Sequence, residues 1–112
     1  DLEKENIIFS LHSDMPMAPA SPLVLMHSAV NRINYANKVA GPNQRVSALE
    51  ALKGVTINAA YTLRIESNYG SISPGKIANL TVLSANPLLI DPSSIDAIKV
   101  IATIEEGKIN QF

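Results

Sequence analysis

Two side chains in the first part of the chain have reactive types at a useful spacing: His12 and Asp14, in Ser10-Leu11-His12-Ser13-Asp14-Met15-Pro16. An imidazole and a carboxylate can each hold a metal ion or move a proton near neutral pH. They stand at i and i+2, and an extended backbone points both to one side. The carboxylate of Asp14 could bind a cation or take a proton from an activated water. The same residues also have a plainer use. Asp14 would cap a turn by accepting a backbone N–H, and His12 would be an ordinary polar residue. Spacing alone leaves both open.

The pattern of the chain around these two residues predicts the elements that carry them. The charged stretch 1–5 reads as a helix end or turn. Asn6-Ile7-Ile8-Phe9-Ser10-Leu11 is a nearly continuous apolar run, which suits a strand buried on both faces, as in a parallel sheet or barrel. It predicts a strand near 6–12, with His12 and Asp14 at its C-terminal end, where barrel enzymes carry their catalytic groups. Pro16 and Pro19 then stop regular structure. Ser21-Pro22 reads as N-cap and first helical position, and Leu23, Met26, Val30 and Ile33 recur at helical spacing. That predicts a helix over 22–35. Gly41-Pro42-Asn43 breaks the chain. Ser47 and Glu50 have the spacing of a capping box and start a helix over 48–54. Thr56 is placed to cap another over 57–63.

After Gly70 the character changes. Ser73-Pro74-Gly75-Lys76 predicts a type II turn. Strands are predicted near 79–84, 98–105 and 109–112, with Glu105-Glu106-Gly107-Lys108 as the hairpin turn between the last two. Asn86-Pro87 and Asp91-Pro92 punctuate a loop. One early strand without parallel partners, then helices, then antiparallel strands is an awkward inventory for an independent domain. It fits the end of a (β/α) barrel followed by part of a β-rich domain.

Composition narrows the function classes. The 112 residues contain 46% hydrophobic residues but only three Tyr, two Phe and no Trp, so aliphatic side chains must build the core. Nine basic and ten acidic residues give no electrostatic case for nucleic acid or an anionic membrane. Without cysteine there is no disulfide, thiolate ligand or thiol nucleophile. No apolar run reaches the roughly 18–20 residues of a membrane span.

Two segments about sixty residues apart carry a resemblance. Leu11-His12-Ser13-Asp14-Met15-Pro16 is similar to the end of the last barrel strand in metal-dependent amidohydrolases of the "amidohydrolase 3" type. Gly70-Ser71-Ile72-Ser73-Pro74-Gly75-Lys76-Ile77-Ala78-Asn79-Leu80 resembles the entry into their small β-domain, with Asn79 where Asp is usual. Between them, 47–52 and 56–60 resemble the paired helices that precede that turn. The resemblance implies an α/β fragment. Residues 1–66 would be the last strand and helices of a (β/α)8 barrel, and 67–112 part of a small β-sandwich. It implies the C-terminal part of a metal-dependent hydrolase of amide-type C–N bonds other than ordinary peptide bonds.

The resemblance also assigns roles. Asp14 matches the aspartate that contacts the metal and serves as general base, and His12 falls at a variable position as a contact either to substrate or to the residues around the metal. The family's early His-x-His pair has no counterpart here. A divalent metal, zinc by expectation, would therefore need ligands absent from this chain, and the chain alone should bind none and be inactive. A cytoplasmic enzyme with a small-molecule amide-type substrate is expected, without nucleic acid or membrane partners. The fragment should self-associate through its uncovered apolar strand. The alternative is a non-catalytic structural or oligomerisation module.

Other features read more plainly. His27 is expected to be a half-buried helix residue, Met15, Met17 and Met26 to be gap fillers, and Gly75-Lys76 not to be a phosphate loop, because the glycine spacing is wrong.

Overall fold

Each helix begins at a start signal in the sequence, and each is short. The computed structural model describes residues 5–34 and 36–112. Helix α1 spans Pro22–Asn31, α2 Ala48–Gly54 and α3 Ile57–Thr62. Ser21 takes the extended N-cap conformation of α1, but its side chain makes no cap bond. The entry rests on Pro22, whose fixed φ suits a first turn. Ser47 does cap α2, its hydroxyl accepting the Glu50 N–H at 3.2 Å. Glu50 in turn pairs with Lys53 at 2.6 Å. Thr56 does not cap α3. Its hydroxyl donates instead to Leu52 O at 2.7 Å and closes the end of α2.

Helix α1 ends before the predicted 35, and Tyr35 itself lies outside the described residues, as does the turn expected over 1–4. Arg32 turns left-handed, at φ 58°, while its N–H still bonds Ser28 O. Ile33 then leaves the helix to bridge Val39. Asn34 makes that choice local, because its Oδ1 accepts the N–H groups of both Ala36 and Lys38 at 3.0 Å. Asparagine offers the backbone a turn in competition with the helix.

The predicted strand at 6–12 pairs with no other strand among the described residues, and the segment is irregular backbone. A strand is a property of a pair, and this run has no parallel neighbour in the sheet described. The sheet is antiparallel and lies entirely in the last third. Strand β1 spans Leu80–Leu83, β2 Val100–Glu105 and β3 Lys108–Gln111, in the order β1-β2-β3. Leu80 faces Ile104, and Glu105 faces Lys108. The predicted type II turn is present, with Lys76 N–H bonded to Ser73 O at 3.2 Å and Gly75 at φ 90°. The hairpin turn is also as expected, with both Glu106 and Gly107 at positive φ. That is the type I′ geometry that matches strand twist. Asn79 supports it, because its Oδ1 accepts the Glu106 N–H at 2.8 Å.

The core forms where sequence-distant parts meet. Met26 of α1, Ala51 of α2 and Ile95 are fully buried together, with Leu11, Leu23 and Leu52 packed around them. Ile95 comes from a 3₁₀ helix, Pro92–Ala97, in the stretch expected to be a punctuated loop. Asp91 caps it, accepting both the N–H and the hydroxyl of Ser93. Asn31 ties α1 to it by donating from Nδ2 to Pro92 O at 2.8 Å. Among the described residues no helix is long and apolar enough to cross a membrane.

This packing sets the cost of truncation. Ile95→Ala should lower unfolding free energy by about 2–5 kcal/mol in urea titrations, the usual cost of truncating a buried aliphatic side chain. Leu89→Ala, at a side chain that is 84% exposed, should stay within about 0.5 kcal/mol. The cap at Asp91 makes stability depend on acid. The Ser93 hydroxyl, and after it the Ser93 N–H, hold the Asp91 carboxyl below its ordinary 3.8. A lowered folded-state pKa means stability that is present above 3.8 and lost as pH falls through the folded value. Asp91→Asn should flatten that acid limb in stability measured against pH and leave the neutral range unchanged in slope.

Candidate active site

The residues singled out for chemistry stand just beyond a docked segment. Three contacts hold residues 9–11 against the helices. Asn58 Nδ2 donates to Phe9 O at 3.0 Å. Leu11 N–H donates to Gly54 O at 3.0 Å. Thr62 Oγ1 lies 3.3 Å from Ser10 Oγ. The docking is close because residue 54 has no side chain. A Cβ there would stand 3.1 Å from Leu11 Cγ and 3.4 Å from Phe9 Cε2. Leu11 thereby reaches the core cluster.

Past Leu11 the chain leaves the helices, and His12 and Asp14 are both exposed. Asp14 takes a left-handed conformation at φ 50°, and its carbonyl accepts the Met17 N–H at 2.8 Å. Asp and Asn tolerate this conformation better than most residues. The period-two argument for a shared side therefore does not hold at Asp14, because its backbone is not extended. Among the described residues no hydrogen bond or ion pair joins His12 to Asp14. Asp14 is exposed where this turn begins, accessible to a group from outside the segment.

The donors present do not make a metal centre by themselves. Among the described residues, no three of His, Cys, Asp and Glu come together around a common point. A zinc ion takes about four ligands, usually three of them from protein at a catalytic site. Asp14 can fill one such place.

The remaining candidates are structural in their surroundings. His27 is half-buried, and its Nε2 stands 3.8 Å from Asp96 Oδ1, across the contact between α1 and the 3₁₀ helix. Met26 fills the core as expected, but Met15 and Met17 do not, being 69% and 79% exposed on the proline-bounded turn. Two prolines so close together keep that turn from folding back onto the core. The Lys76 ammonium is committed to the carbonyls of Glu66 and Tyr69, which agrees with the reading that Gly75-Lys76 is no phosphate loop. An open cleft of about 340 Å³ is lined by Ile8, Tyr61, Thr62, Arg64 and Glu66, and by neither His12 nor Asp14.

Sequence reasoning does not single out Gly54, Asn58 and Thr62 as partners of 9–11. Asn58 and Thr62 stand four apart in α3, which places them on one helical face, whereas Gly54 closes α2. The segment they grip lies more than forty residues away, and spacing says nothing of that.

The model of the Amidohydrolase family matches residues 1–110. An N-substituted formamide deformylase of Arthrobacter pascens is 38% identical over 98 residues, covering 88% of this chain and 18% of the relative. Protein LONG AFTER FAR-RED 3 of Arabidopsis thaliana is 38% identical over 105 residues, covering 92% of this chain and 18% of the relative. Among solved structures, an amidohydrolase from Thermotoga maritima MSB8 superposes with a TM-score of 0.66 at 26% identity, over 96% of this chain and 24% of that one. The chain thus spans about a fifth of the length of the curated relatives it matches.

Proposed function

This chain belongs to the amidohydrolase family, and on that basis we propose that it is the C-terminal part of a hydrolase of amide-type C–N bonds. The observation that carries this reading is the family match over 1–110, which takes in both the Asp14 turn and the segment Gly70–Leu80. The deformylase relative supports the bond class through its name. The division into a barrel part, 1–66, and a sandwich part, 67–112, belongs to the same reading. Ile95 packing on Met26 and Ala51 is then the contact between the two.

In this reading Asp14 is the general base. An exposed carboxylate at the end of a docked segment can take the proton of an attacking water. The carbonyl carbon of the amide-type bond then becomes tetrahedral, and Asp14 returns the proton to the leaving nitrogen. Nitrogen departs poorly as an anion, so that second transfer is needed for bond cleavage. A divalent metal, zinc in this proposal, supplies the activation of water when bound. Asp14 fills one ligand place at most, and the other ligands come from outside these 112 residues. His12, exposed beside it, is the proposed contact to a small-molecule substrate. The setting proposed is cytoplasmic.

A second reading, a non-catalytic structural module, is kept because one relative of equal identity has a name that states no reaction. A single substitution separates the two. In the full-length protein, Asp14→Asn should lower kcat by roughly 10²–10⁴, the usual share of general acid–base catalysis. The fold should persist, since Asn accepts the left-handed backbone. Activity within a few-fold of the parent would remove Asp14 from the chemistry, and absence of any C–N hydrolase activity in the parent would favour the module.

The 112-residue chain by itself should self-associate. Ile7 and Ile8 are 47% and 57% exposed on the segment without strand partners. Uncovered apolar surface of this kind is buried by association. Sedimentation velocity should show species larger than a monomer, and a monodisperse monomer without dye-accessible apolar surface would contradict this.

A further inference from the structure

The side chain of Asn58 has no part in the proposed chemistry, yet it makes a long-range contact to the segment that leads to Asp14. Its Nδ2 donates to Phe9 O, 49 positions earlier, in a half-buried setting. Four positions before it, at the end of α2, Gly54 O accepts the Leu11 N–H. Residues 54 and 58 thus grip the segment at 9 and 11, two positions apart. Two anchors, one from each helix, fix the stretch just before His12 to Asp14.

We propose that Asn58, acting with Gly54, is a positioning residue for Asp14. The proposal rests on the reading of Asp14 as general base. The physical argument is geometric. The Asp14 carboxylate makes no hydrogen bond among the described residues, so nothing at its own tip fixes its place. The nearest fixed points upstream are the bonds at Leu11 and Phe9. A carboxyl that moves protons must be within hydrogen-bond reach of both oxygen and nitrogen. A misplacement of about 1 Å can cost on the order of 10²-fold in rate.

The test uses the full-length hydrolase that carries this segment. Asn58→Asp keeps the shape but replaces the donor with an acceptor facing the Phe9 carbonyl. Its kcat should fall roughly tenfold or more, with KM within about twofold, and the Leu11 amide should exchange hydrogen at least about tenfold faster. In an Asp14→Asn background the same substitution should leave the residual kcat unchanged, because there is no longer a base to misplace. Equal fold-losses in both backgrounds would mean Asn58 acts on the fold alone and would overturn the proposal. So would an unchanged kcat for Asn58→Asp while Asp14→Asn is inactive. If Asp14→Asn is itself fully active, the general-base reading has failed and the positioning role falls with it. Should Asn58→Asp not fold, Gly54→Ala puts a methyl 3.1 Å from Leu11 Cγ and displaces the segment from the other anchor. The same loss, abolished in the Asp14→Asn background, is expected there, and a wild-type kcat with Gly54→Ala would overturn the proposal.

Discussion

Burial of Ile95 against Met26 and Ala51 holds the separate parts of this chain together. The helices contain ten, seven and six residues. Helices this short are marginal in water without packing. The three-stranded sheet is also small, and β3 is exposed along its whole length. One side chain from a 3₁₀ turn therefore does what no single element can do. It gives α1 and α2 a common apolar surface and ties them to the chain that leads into β2. The polar bonds around it, from Asn31 to Pro92 and from Asp91 to Ser93, fix the direction from which Ile95 enters.

From that core outward, order is passed to the candidate site in steps. Leu11 packs on the core cluster, Gly54 lets it come close, and Asn58 holds the carbonyl two residues before it. Beyond Leu11 the backbone turns left-handed at Asp14 and enters the proline-bounded turn. The result is an exposed Asp14 just beyond a docked segment. In the proposed reading, Asp14 works with groups from elsewhere in a larger enzyme.

Much of the local structure is legible in the sequence. The Ser47 N-cap of α2, the Pro-Gly turn at 73–76 and the Glu106-Gly107 hairpin all depend on neighbours in sequence, and all are present as expected. The departures share a cause. The apolar run at 6–12 has the pattern of a strand, but a strand needs a partner that this sheet does not provide. The apolar Ile33 extends the helical pattern of α1 past Asn31, where the Asn34 side chain offers a competing turn. Met15 and Met17 look like core residues by type, and the prolines beside them hold them in solvent.

The family, and with it Asp14 as the residue to watch, can be recognised from residue types at fixed spacing, because turns, caps and short motifs are written in consecutive positions. The partners of residues 9–11, the seat of Ile95 and the left-handed backbone at Asp14 cannot. Asn58 reaches Phe9 across 49 positions, and Asn31 reaches Pro92 across 61. Contacts of that range arise only when distant apolar faces close on each other. The sequence names the groups able to meet, and the packing of the folded chain selects which of them do.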